Sequence, residues 1–269
     1  MKKAILPLMM LAAAGGLYAQ DAAVAAPESN ELEIGAQFGF ESHYVFRGKS
    51  ITDENMQATV NAGYSLGGTG DWGFRVYGEF FYEAPFDDEM NEVDWKIGGT
   101  AVYADEYYFD AGYIFRTYPN SGPAKGKNSV NRENELFLGI ARDVRFWQDA
   151  EWSQVKIGGT VSYDWNFEQI SWEFYAEKTF EEVLVPEFSV NLRAVYGYIT
   201  MKDANGDQWL GHGSPDNDYG YCQFSVDGIY SLNKTTDVSA GMRYAYNNDH
   251  IAGEDCNEFW WGVALRFRY

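Results

Sequence analysis

Arg47, Arg75, Arg116, Arg193, Arg243, Arg266 and Arg268 all fall in the polar phase of segments where every second residue is apolar. The same phase carries Glu33, Glu41, Glu79, Glu83, Asp94, Asp110, Asp164, Glu173, Glu177, Asp227 and Asp237. A guanidinium binds carboxylate or phosphate through two parallel hydrogen bonds, so a row of arginines on one surface can guide an anion along it. The same residues can instead form an ion-pair network that braces the inside of the fold and fills it. Acids outnumber the arginines, which favours bracing. The residues expected to line an internal passage are Arg47, Arg75, Glu79, Asp110, Arg116, Arg193, Asp227, Arg243 and Arg266, with Arg47 foremost among them.

Other chemistries are weaker. Hydrolysis would need a serine beside a histidine and a polar group to orient it. His43, His212 and His250 offer no such set, and Ser42 and His43, being adjacent on a strand, point to opposite faces. The expectation is that the chain is not an enzyme. Asp203-Ala204-Asn205-Gly206-Asp207 begins like a calcium loop, but Gln208 stands where glycine should and Ser214 where the closing glutamate should. Asp87-Asp88-Glu89 reads as a solvated acidic turn. No cofactor and no metal are implied. Cys222 and Cys256 could form one disulfide that staples neighbouring loops.

The elements that would position these residues are strands. In the last eleven residues Phe259, Trp261, Val263, Leu265, Phe267 and Tyr269 alternate with Trp260, Gly262, Ala264, Arg266 and Arg268, giving one apolar and one polar face. This resembles the C-terminal strand of outer-membrane barrels, whose terminal aromatic is read by the assembly machinery. The same period recurs from Leu32 onward, and the first strand is read as continuing through Tyr44 and Phe46. About twelve strands result, so the expected fold is all-β, a transmembrane antiparallel up-and-down barrel. Short turns are expected at 67–71, 105–106, 143–151, 181–187 and 233–235. The opposite end should carry loops at 48–55, 84–92, 119–131, 166–169, 200–218 and 247–256. Outward aromatics gather near strand ends, with Tyr64, Trp72, Tyr103, Tyr107, Phe188, Tyr230 and Tyr269 at one level and Tyr44, Tyr82, Trp95, Trp165, Tyr198, Tyr246 and Trp261 at the other. Such banding is what two membrane interfaces demand. Lys96-Ile97-Gly98-Gly99-Thr100 is repeated as Lys156-Ile157-Gly158-Gly159-Thr160, but on strands running in opposite directions. Similar demands on a spanning strand explain this better than tandem duplication does.

Composition and the N-terminus agree with that fold. Aromatics make up 17% of the chain and the hydrophobic fraction is only 46%, with a mean hydropathy of −0.40. A barrel whose strands face water on one side has this mix. Acidic residues number 40 against 20 basic ones, which excludes nucleic acid as a partner because phosphate binding relies on Lys and Arg. Lys2 and Lys3, an apolar run and Leu17-Tyr18-Ala19 read as a signal peptide over 1–19. Residues 20–31 read as a flexible periplasmic lead and 32–269 as the barrel.

Ser42-His43-Tyr44-Val45-Phe46-Arg47-Gly48-Lys49-Ser50 resembles the opening signature of the TorF family of porin-like proteins, Ser-x-Tyr-x-aromatic-Arg-Gly-x-Ser. The resemblance is specific over these residues and generic over the rest, and the following loop lacks the family's proline. It implies an outer-membrane barrel of a Gram-negative bacterium that passes small solutes by diffusion. The implied partners are outer-membrane lipid and lipopolysaccharide, the barrel-assembly machinery and small solutes, with association between barrels left open. The alternative is a structural or adhesive surface barrel with a plugged lumen and acidic ligand-contacting loops.

Overall fold

The computed structural model describes residues 31–86, 91–119, 132–147, 153–166, 168–200, 218–248 and 257–269. The strands are β1 (Leu32–Glu41), β2 (Tyr44–Phe46), β3 (Lys49–Thr52), β4 (Asn55–Thr69), β5 (Trp72–Pro85), β6 (Glu92–Tyr103) and β7 (Tyr107–Thr117), followed by β8 (Arg132–Arg145), β9 (Gln154–Asp164), β10 (Gln169–Phe180), β11 (Phe188–Thr200), β12 (Tyr219–Asn233), β13 (Thr236–Asn247) and β14 (Asn257–Arg268). Among them β1 and β4 to β14 form one closed antiparallel barrel in chain order, and β2 pairs only with β3. The seam is β1 against β14, where Ile34 and Tyr269 exchange backbone hydrogen bonds of 3.0 and 2.8 Å. Closure leaves no sheet edge unpaired, which is the one way a sheet can meet hydrocarbon without stranding its amides.

The alternation read from the sequence is the alternation of the fold. Along β14 the exposed residues include Phe259, Trp261, Val263 and Phe267, while Trp260, Gly262, Ala264 and Arg266 are buried inside. Leu138 on β8 and Ile97 on β6 are 63% and 62% exposed, although both are large and apolar. So wide an apolar exterior is a lipid-facing surface or a large interface, since soluble monomers keep such patches small. Aromatic contacts mark both rims. Trp72 packs on Tyr103 at 4.8 Å near the short-turn end, and Phe80 on Trp95 at 4.8 Å and Tyr113 on Trp165 at 5.8 Å nearer the other.

The inner face solves a packing problem with glycine. Tyr77 stands opposite Gly98, Phe137 opposite Gly112, Tyr175 opposite Gly158 and Tyr221 opposite Gly197 on adjacent strands. In each pair a methyl group on the glycine would collide with the ring, so the rings lie flat against the wall. The repeated pentapeptides belong here. Gly98 and Gly158 each receive a tyrosine, and the lysines two residues earlier lie over rings, Lys96 5.1 Å from both Tyr77 and Phe137, and Lys156 4.5 Å from Tyr108.

One expectation fails. The first strand does not run on through Phe46; it ends at Glu41 and the chain turns inward at Ser42 and His43. Tyr44 and Phe46 are 2% and 3% exposed inside the barrel rather than facing outward, and Tyr44 belongs to no outer aromatic band. The cause is a hairpin turn. Arg47 and Gly48 have φ of +48° and +78°, the paired positive values of a tight two-residue turn that reverses β2 onto β3. The region 48–55 is therefore not simply an external loop. A smaller difference is that β9 stops at Asp164, leaving Trp165 in the tight turn. The pairings of β8 with β9 and of β10 with β11 keep one continuous register despite the longer links between them.

If the apolar exterior lies in lipid, Leu138→Arg should lower the folding free energy by about 2–4 kcal/mol in urea titrations against lipid vesicles. A change under about 1 kcal/mol would place that face outside the hydrocarbon.

Candidate functional site

The hairpin 44–52 is the centre of the lumen, and nearly every wall holds it. Arg47 Nη2 donates to both oxygens of Glu135 on β8, at 2.9 and 3.0 Å, and to Ser162 Oγ on β9 at 3.2 Å. Its carbonyl accepts from the Tyr219 hydroxyl of β12 at 3.3 Å, and the Gly48 carbonyl accepts from Asn247 Nδ2 of β13 at 2.8 Å. Gly48 is required twice, by its positive φ and because Tyr221 occupies the space a Cβ would need. Tyr44 donates to Glu92 on β6 and Thr52 to Glu83 on β5, both at 3.2 Å. Tyr44, Phe46 and Ile51 pack with Tyr77, Phe81, Ile114 and Phe137, while Val45 meets Ala245 and Trp260. A non-glycine residue in the left-handed region costs about 1–3 kcal/mol. Arg47 adopts that conformation because these contacts fix it from all sides.

A second guanidinium completes the knot. Arg116 on β7 is 2.8 Å from Glu133, 3.2 Å from Glu135, 3.2 Å from Asp94 and 3.9 Å from Glu92. The Phe46 ring packs against both cations, 4.9 Å from Arg47 and 5.4 Å from Arg116. Burial works against the charge on Arg47, but the Glu135 carboxylate outweighs it and holds the guanidinium more firmly protonated than usual. Tyr118, just past β7, donates to Glu133; burial and that carboxylate push its phenol well above the usual range.

The remaining residues expected to line a passage are all inward, but they do not form a continuous row of arginines. Arg243 is 2.7 Å from Asp227 and 3.7 Å from Glu41. Arg193 is 3.0 Å from Glu177, and Arg75 is 3.2 Å from Glu33. Arg266 donates to Gln37 at 2.6 Å and stands across from Asp237, which pairs with Arg268. Asp110 accepts from Tyr77 at 2.9 and 3.0 Å and from Thr100 at 3.2 Å; Glu79 is half-buried on β5. Arg47 thus meets Arg116 through Glu135, while Arg75, Arg193 and Arg243 sit in separate pairs.

Sequence reasoning missed Glu133, Glu135 and Glu92 on the wall, and the whole inward role of Tyr44 and Phe46. The signals were present: Glu133 and Glu135 occupy one phase of β8, and Arg47-Gly48 separates two short β-prone runs. Cys222 faces outward between Tyr196 and Tyr246 in register, and Cys256, its expected partner, lies outside the described residues. His43 is 3.5 Å from Asp53. His212, His250, the segment 203–214 and residues 87–89 also lie outside the described residues. Among the described residues no group of His, Cys, Asp and Glu is arranged to hold a metal.

No family model and no curated protein matches the chain. Solved structures of similar shape include the KdgM porin, at 7% identity and TM-score 0.48 over 87% of this chain and 98% of that one. The COG4313 outer membrane channel from Pseudomonas putida F1 matches at 9% identity and TM-score 0.48, over 90% and 96%. The NanC porin matches at 12% and 0.45, over 87% and 98%. At those scores the likeness carries no argument about this chain.

Arg47→Ala would leave Glu135 buried with half of its charge partners gone. Breaking a buried pair this way costs about 3–5 kcal/mol, and thermal or urea unfolding of the refolded protein should show it. Arg47→Lys, which keeps the charge but loses the planar donor set, should lose less; equal stability of all three proteins would show that the ion pair does not hold the hairpin.

Proposed function

We propose that this protein is an outer-membrane channel of the porin type that lets small hydrophilic solutes diffuse through a lumen narrowed by the hairpin 44–52. One observation carries the reading: the barrel is inverted relative to a soluble fold, with large apolar residues outside and arginines, carboxylates and tyrosine hydroxyls inside. Among the residues proposed to line the passage, Arg75, Glu79, Asp110 and Arg193 are incompletely buried, while Arg47, Arg116, Asp227, Arg243 and Arg266 are buried and act first as braces. The TorF-like nonapeptide becomes the constriction itself, since Tyr44 to Ser50 are the strands and turn of the hairpin. Under this reading the C-terminal strand is recognised by the assembly machinery, the exterior contacts lipid and lipopolysaccharide, and the address is the outer membrane of a Gram-negative bacterium.

A second reading is favoured by the burial of the hairpin, whose residues from Tyr44 to Lys49 are all buried. In it the lumen is sealed and the barrel is a structural or adhesive surface protein.

Single-channel recording in planar bilayers separates the two. The channel reading expects small conductance steps from the intact protein and severalfold larger steps when residues 43–53 are replaced by a short glycine-serine link. Silence from the intact protein with conductance from the shortened one would establish the sealed barrel. Silence from both would refute the channel.

A further inference from the structure

The outer wall between β5 and β9 is not smooth. Val76, Gly99, Ala111 and Leu138 stand side by side in register on β5 to β8, all turned outward, so two of the smallest side chains sit among large ones. With Ile97 and Leu136 in the next row, they enclose an open trough of about 890 Å³ whose surface is almost wholly carbon. Toward the long loops it is bounded by the ring contacts of Phe80 with Trp95 and of Tyr113 with Trp165. Toward the short turns the same strands carry charge. Arg142 faces outward on β8, four residues beyond Leu138, which is roughly 13 Å along a strand. Its guanidinium lies 4.7 Å over the ring of Tyr107, its partner in register on β7, and 3.4 Å from Glu106. Both charged side chains are about half exposed, at 51% and 55%. An exposed pair at that distance is weak, so a ligand can open it at little cost.

We propose that this trough is a site for one zwitterionic phospholipid of the leaflet nearer the short turns, an inference that rests on the membrane address in the reading above. An acyl chain fills the hollow over Gly99 and Ala111, the phosphate takes the Arg142 guanidinium, and the headgroup ammonium takes Glu106. The guanidinium fork matches phosphate oxygens. A carboxylate beside it repels a headgroup of net negative charge but completes the contact with a zwitterion. A smooth apolar wall lets lipid chains slide past; a hollow with a paired cation and anion at the rim holds one molecule at both ends.

The test is native mass spectrometry of the refolded barrel in mild detergent with phosphatidylethanolamine or phosphatidylglycerol added. One phosphatidylethanolamine should be retained per barrel, severalfold more than phosphatidylglycerol. Ala111→Trp, which fills the hollow from an outward position, should abolish retention, and Arg142→Gln should weaken it severalfold. No retention by the folded wild type overturns the proposal, as does an equal hold on both headgroups or unchanged retention in either variant. A lipopolysaccharide adduct in place of the phospholipid, or a dimer that Ala111→Trp separates, gives the trough another occupant and overturns it equally. If Ala111→Trp fails to fold, seen as loss of heat-modifiable mobility, Arg142→Gln at the exposed rim decides. A chain that stays monodisperse without detergent removes the membrane address itself, whereas a folded barrel in detergent that keeps no lipid removes only this site.

Discussion

Glu135 accepts from Arg47 on one side and Arg116 on the other, and the arrangement of the barrel interior depends on that shared carboxylate. Arg47 comes from a hairpin tip and Arg116 from β7, and both are all but excluded from solvent. Charges taken out of water are tolerated only when closely paired. Pairing Arg47 with Glu135 draws the hairpin into the lumen, and pairing Arg116 with the same group ties that hairpin to β6 and β7 through Asp94 and Glu133. Phe46 packs against both guanidinium groups and gives each cation a π face.

The outer surface explains why such a costly interior persists. A barrel of twelve strands is too wide for wall side chains to fill as they do in one of eight. If the exterior must be apolar, the interior inherits the polar half of each strand, and the polar groups need partners from across the lumen. The hairpin supplies several: Tyr44 to Glu92, Thr52 to Glu83, and backbone carbonyls for Tyr219 and Asn247. It is a brace in the same sense that a hydrophobic core is, except that hydrogen bonds carry much of the specificity.

Aromatic rings complete the lining by lying flat over glycines. The pairs Tyr77 with Gly98 and Tyr175 with Gly158 keep large side chains close to the wall. Lysines from the same pentapeptides rest on rings, so these cations too are engaged at the wall. The repeat therefore reflects a shared structural task on two antiparallel-running strands.

What the sequence determined by itself was the barrel: its strand number, the faces of nearly every strand, the turn positions and the inward side of the arginines. Those follow from a period of two, because one apolar face per strand leaves a single choice of which side meets the outside. What only the tertiary structure decided was the partner of each charge and the fate of residues 42–54. Tyr44 and Phe46 continue the apolar phase of β1 perfectly well, so the local pattern reads as more strand. They are carried inward by Arg47 and Gly48, whose partners Glu135, Ser162, Tyr219 and Asn247 lie 88 to 199 residues away in sequence. No local period encodes a contact across a lumen; closure of the cylinder creates it.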